Sequence, residues 1–150
     1  MIKIAHRGNY RGRNPLRENT VSYIEEAIAA GFDVMIDVWL LDCTWHLGYD
    51  FPGEVIDLSF MERPQVWVRA RDFPGYVSLH SQKKIHVFWH KDDDFTFTSK
   101  GIKWADTDVL TRDGVMSFPN TYLIKIKHGR VAPLGVCMDD FSLLDKTEII

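Results

Sequence analysis

Apolar residues along this 150-residue chain gather into short runs separated by polar stretches rich in Gly, Asn or Pro. IKIAH (2–6), QVWVRA (65–70), IHVFWH (85–90), DFTFTS (94–99), IKWAD (102–106), GVMSF (114–118) and LGVCMDDF (134–141) each have the length and β-branched or aromatic content of a strand. Residues 34–41 are apolar throughout except for Asp37, which predicts a strand buried on both faces. Asp42-Cys43 supplies a turn into TWHLG, so 34–49 reads as a hairpin. TYLIKIK (121–127) alternates polar and apolar residues up to His128-Gly129 and reads as part of a solvent-facing hairpin. Only one segment has clear helical spacing: Val21, Ile24, Ala27 and Ile28, with Asn19 or Thr20 as N-cap and Gly31 as the stop. Weaker helical patterns lie near 57–62 and 73–82. The pattern predicts a strand-rich α/β or α+β domain that opens with a β–α–β unit.

Composition narrows this picture a little. The length suits one domain spanning 1–150, and 45% hydrophobic with 13% aromatic residues is enough to fill its core. A net charge of −3 argues against electrostatic capture of nucleic acid. No apolar run approaches the roughly 20 residues of a membrane helix, and MIKIAHRGN lacks the pattern of a signal peptide, which predicts a cytoplasmic protein. Cys43 and Cys137 have no zinc-ligand spacing and read as two reduced core cysteines, with a disulfide between them left open.

Charged or ionisable residues stand within or at the ends of several apolar runs: His6-Arg7, Asp37, Arg69 with Arg71, and His90. If the strands are parallel and adjacent, these ends converge on one mouth, where open α/β sheets bind ligands. Arginines for oxyanion contacts, histidines as acid and base, and an aspartate to orient them suit a small anionic ligand. Each has a plainer reading: a histidine after a strand is often a loop residue, and alternating arginines can be a solvated face. Asp37 resists such a reading, because a carboxylate among Met35, Ile36, Val38 and Trp39 costs several kcal/mol unless it is paired.

Residues 4–42, beginning IAHRGNYRGRNPLRENT, resemble the opening of the glycerophosphodiester phosphodiesterase family within the phospholipase-C-like phosphodiesterases. The matching motifs are His6-Arg7-Gly8, Glu18-Asn19-Thr20, Asp37 and Asp50. FWHKDDDFTFTSKGIKW and LGVCMDDF are similar to later segments of short members. The resemblance implies a compact, reduced (β/α) TIM-like barrel with most outer helices shortened or missing, since a full barrel takes about 250 residues. It also implies a phosphodiester ligand, histidine acid/base chemistry and a Mg²⁺ or Ca²⁺ ion on carboxylates. Position by position, His6 is the first histidine, Arg7 a phosphate contact, Asp37 a metal ligand, and Glu18 and Asn19 binding residues.

The chain departs from the family where the metal would sit. Met35 replaces the Glu of Glu-x-Asp, Tyr49 replaces the His of His-Asp, and Arg69-Ala70-Arg71 replaces Glu-x-Lys. A hard cation wants several oxygen ligands, and a thioether and a guanidinium supply none. The expectation is a site without metal, in which Asp37 pairs with Arg69, Arg71 or Arg7. His90 or Tyr49 is then the second acid/base group, Trp39 lines the binding site, and Asp50 is a supporting or turn residue. Two readings follow: a metal-independent phosphodiesterase, or an inactive relative that keeps an anion pocket. A nucleic-acid phosphodiesterase stacking bases on Trp39, Trp89 and Phe95 is a third, against which the acidic charge counts.

Overall fold

In a computed structural model, residues 1–145 are described. Ten strands form one mixed sheet, and the five helices among the described residues are all short. β1 (Ile2–His6), β2 (Asp33–Leu41), β5 (Val66–Ala70), β6 (His86–Phe88), β8 (Lys103–Thr107), β9 (Gly114–Ser117) and β10 (Gly135–Met138) run parallel, in the spatial order β6-β5-β2-β1-β10-β9-β8. The outer half of β2 leaves this set and pairs antiparallel with β3 (Thr44–Leu47), which pairs with β4 (Val55–Ile56). The β2–β3 link is the expected hairpin, with Asp42 and Cys43 both left-handed at φ 47° and 60°. Cys43 is therefore exposed at the turn rather than in a core, Cys137 is buried, and both are free thiols.

β7 (Phe95–Phe97) pairs antiparallel with β8, and the chain just beyond it bonds to β6. Ser99 N–H donates to Val87 O at 2.8 Å, Ser99 Oγ accepts from Val87 N–H at 2.9 Å, and His86 Nε2 lies 2.6 Å from Thr98 Oγ1. Residues 95–99 thus bridge the two edges of the parallel set, and the sheet curls around an inner core. That core is Ile4, Met35, Trp67, Phe88, Trp104, Val115 and Cys137, one residue from each parallel strand. Phe88 and Trp104 stack across the seam with centroids 4.5 Å apart.

The outer faces are covered in two patches. α1 (Val21–Ala29), α2 (Leu58–Met61) and α3 (Phe73–His80) cover β2, β5 and β6 through Ile24, Ala27, Met61 and Leu79. α4 (Leu123–Lys127) and α5 (Ser142–Asp145) cover β9 and β10 through Ile126, Leu144 and the adjoining Phe141. Thr20 is the cap of α1, its hydroxyl accepting from Tyr23 N–H, and Gly31 follows the helix at φ 95°.

Two further expectations are overturned. The chain is not a TIM-like (β/α) barrel: helices do not alternate with strands, and none lies in the path from β6 through β7 and β8 to β9. Residues 108–113, which link β8 to β9, are too few to fold into a helix and still return the chain across the sheet. The expected hairpin at 121–127 is instead a 3₁₀ turn (Asn120–Tyr122) running into α4. Asp108 holds that turn by accepting from the backbone N–H and the hydroxyl of Thr121. Ile126 faces the core from the helix, so a helical period wins over the apparent alternation.

Candidate active site

Side chains two residues apart in a strand share a face. Two positions beyond the inner-core residues stand His6, Asp37, Arg69, Asp106 and Ser117, from β1, β2, β5, β8 and β9, with His90 and Asp139 just past the ends of β6 and β10. An apolar floor thus lies beneath a polar layer at the C-terminal ends of the parallel strands. A small cavity of about 50 Å³ lies at their junction, bordered by the floor residues Met35, Trp104 and Cys137 and by polar His6, Arg69, His90, Asp106 and Ser117.

Asp37 is the anchor of the polar layer and is wholly buried. Its Oδ1 accepts from Arg69 Nε at 2.7 Å, and its Oδ2 accepts from Arg7 Nε at 2.8 Å and Asn19 Nδ2 at 3.0 Å. Register explains the first contact, since Asp37 and Arg69 are direct neighbours on β2 and β5. The others depend on two left-handed residues, Arg7 at φ 58° and Asn19 at φ 55°, which turn the loops inward. Gly8 permits this approach: a Cβ there would lie 2.7 Å from the Tyr23 ring. Burial alone would push the Asp37 carboxyl up, but Arg69, Arg7 and the Asn19 amide more than offset it and hold it below the usual carboxylate range. Glu18 extends the network, accepting from Asn9 Nδ2 at 3.0 Å, Arg13 Nε at 3.1 Å and Arg7 Nη1 at 3.4 Å.

His6 Nδ1 lies 2.9 Å from Asp139 Oδ1, which also accepts from Asn9 Nδ2 at 3.0 Å. A carboxylate only accepts, so Nδ1 carries the proton and Nε2 of the neutral ring is a base. Phe118 meets the imidazole edge-to-face at 4.8 Å. Burial would raise the Asp139 carboxyl, yet its bond to His6 and the charges around it hold it below the ordinary value. The other imidazole is oriented in the opposite sense: His90 Nε2 donates to Asp93 O at 2.8 Å, which leaves Nδ1 free.

Two clefts open beside this layer. One, of about 500 Å³, is lined by Arg7, Arg13, Glu18, Asn19, Tyr49 and Asp50 among others. The other, of about 490 Å³, is lined by Tyr49, Arg69, Arg71, Trp89, His90 and Asp106 among others. Tyr49 borders both, 40% exposed, with the guanidinium carbons of Arg7, Arg71 and Arg69 at 3.8, 4.4 and 5.4 Å from its ring centroid. Among the described residues, two buried polar side-chain atoms lack a hydrogen-bond partner: Arg69 Nη2 and Ser117 Oγ. Both residues border the small cavity.

No family model matches the chain, and neither does any curated protein or solved structure. The site is therefore read from its own geometry. His6, Arg7, Glu18, Asn19, Tyr49, Arg69, Arg71 and His90 all line the two clefts or the cavity, and Asp37 lies beneath them, bonded to Arg7, Asn19 and Arg69. Arg71 pairs not with Asp37 but with the Tyr49 carbonyl, at 3.2 Å from Nε. Asp50 stands exposed on the rim of the first cleft.

Three of the expected roles meet a different geometry. Trp39 is tied to Gly48 O at 2.7 Å through its indole N–H and lines neither cleft. The base-stacking trio of Trp39, Trp89 and Phe95 is likewise not assembled, since only Trp89 lines a cleft. Both oxygens of Asp37, the expected metal ligand, already accept from guanidinium and amide donors. No cluster of three or more His, Cys, Asp or Glu suited to a metal occurs among the described residues. With Met35 and Arg69 beside Asp37, the donor set does not fit Mg²⁺ or Ca²⁺.

Sequence reasoning missed Asn9, Asp106, Ser117 and Asp139. The signal for the last three was present: each lies two residues beyond a large or buried apolar residue of its strand. Asn9 carried no signal, since it reaches the site only through the turn after β1.

Proposed function

We propose that the chain is a metal-independent phosphodiesterase-like protein acting on a small glycerophosphodiester-type substrate. The observation that carries this reading is the His6–Asp139 pair, whose histidine borders the same cavity as Arg69 with its unpartnered Nη2. The resemblance of His6-Arg7-Gly8 and Glu18-Asn19-Thr20 to the phosphodiesterase opening supports it.

The chemistry follows from the hydrogen bonds. His6 Nε2 takes a proton from a water whose oxygen attacks phosphorus, and Asp139 stabilises the imidazolium that forms. The bond to the leaving alkoxide breaks as the new P–O bond forms. His90, oriented by its Nε2 bond to Asp93 O, delivers a proton from Nδ1 to that alkoxide, and solvent restores both histidines. Arg69 supplies the positive charge that a metal would otherwise bring to the phosphoryl oxygens.

The test is hydrolysis of bis(p-nitrophenyl) phosphate and glycerophosphodiesters, with and without a chelator. Activity is expected to survive chelation and to fall about 10²–10⁴-fold in His6→Ala. Activity that this substitution leaves unchanged refutes the assignment. A second reading, an anion-binding protein without turnover, is favoured by Tyr49 at the position of a family histidine. It is selected if phosphodiesters bind and no variant or wild type hydrolyses them.

A further inference from the structure

The unpaired groups around the small cavity identify what its occupant must be. Ser117 is 7% exposed and ends β9, whereas Arg69 belongs to β5 on the other side of the curled sheet. Neither Ser117 Oγ nor Arg69 Nη2 finds a protein partner, although a buried polar group left unsatisfied is costly. An oxygen seated between them would satisfy both. The cavity, about 50 Å³, has room for about three or four water-sized groups, more than a single bridging water needs.

Asp106 adds the opposite preference. This β8 residue borders the same cavity, and no hydrogen bond to its carboxylate occurs among the described residues. Asp139 brings a second carboxylate to the same layer through His6. An oxyanion here meets a cation on one side and negative charge on the other. One negative charge is tolerated and two are opposed.

We infer that Ser117 and Arg69 hold one non-bridging phosphoryl oxygen, and that Asp106 restricts the cavity to monoanionic phosphodiesters by repelling dianionic phosphomonoesters. This rests on the reading of the site as a phosphodiester site, and makes Ser117 and Asp106 its specificity-determining residues. The same repulsion favours release of the monoester that hydrolysis leaves behind, so binding and turnover are served by one carboxylate.

The experiment is an NMR titration of the full chain at pH 8 with two probes, dimethyl phosphate as monoanion and methyl phosphate as dianion. Dimethyl phosphate is expected to bind at least about tenfold more tightly than methyl phosphate, the ratio that one opposing charge near 4 Å produces. Ser117→Ala is expected to weaken dimethyl phosphate about tenfold while leaving the unliganded melting temperature unchanged or higher, since it deletes an unsatisfied group. Asp106→Asn is expected to narrow the ratio between the probes. The inference is overturned if Ser117→Ala binds as wild type does, if Asp106→Asn leaves the ratio unchanged, or if neither probe binds and the cavity holds water only. Selective binding without any hydrolysis removes the catalytic reading and leaves this one standing. Hydrolysis that depends on His6 but not on Ser117 does the reverse.

Discussion

Asp37 shows why a single residue can be conspicuous in sequence and still be misassigned. Its burial amid apolar neighbours marked it as paired, but the partner depends on register and on two left-handed loop residues, which no local pattern reveals. With Arg7 and Arg69 both donating to it, Asp37→Asn leaves the largely buried Arg69 guanidinium without a counter-charge and Arg7 with Glu18 alone. The expected cost is about 3–5 kcal/mol, measured by urea unfolding at neutral pH. The folded pKa of Asp37 is depressed, so its contribution is complete above the ordinary carboxylate value of 3.8 and is lost as pH falls below it. Asp139 was overlooked because two aspartates follow GVCM. Counting two on from Cys137 separates them: Asp139 meets His6, whereas Asp140 accepts from Ser142 N–H and its hydroxyl outside the site.

At the scale of elements, the apolar runs located the parallel strands well, because a strand buried on both faces has few polar residues to obscure it. Periodicity failed where an element is short and half-buried, as at 121–127, and it could not show that 95–99 would join β6 to β8. His86 carries part of that joint, beside Thr98 and the Trp67 ring at 4.1 Å. Burial, with a smaller contribution from Lys100, lowers its pKa from 6.5 to about 4. The unfolded chain therefore takes up a proton at a pH where the folded one does not. Stability is complete above about pH 6.5 and declines as pH falls toward about 4. A loss of about 2 kcal/mol is expected between pH 7 and pH 5, and His86→Gln should remove it from urea-unfolding curves taken at the two values.

For the whole molecule, the decisive feature is the curl of the sheet, which no strand-by-strand reading contains. The family resemblance implied a reduced (β/α) barrel with most outer helices shortened or missing, but the chain forms one mixed sheet, and packing of Phe88 on Trp104 with the 95–99 bridge closes its inner core. Trp104→Ala removes one side of that stack and leaves a void in the floor. The expected cost is about 3–5 kcal/mol by thermal or urea unfolding. Dimethyl phosphate binding should weaken in parallel, because Trp104 also borders the cavity.

The two-residue step between floor and polar layer has a consequence for how such a chain changes through descent. Residues that secure the fold and residues that do the chemistry occupy alternate inward positions of the same strands, so mutation can sample one set while selection preserves the other. Asp37, Arg7 and Arg69 are the exception, since they can be exchanged only as a set. Everywhere else in the polar layer, a chain of this kind can drift toward a new ligand without losing the structure that presents it.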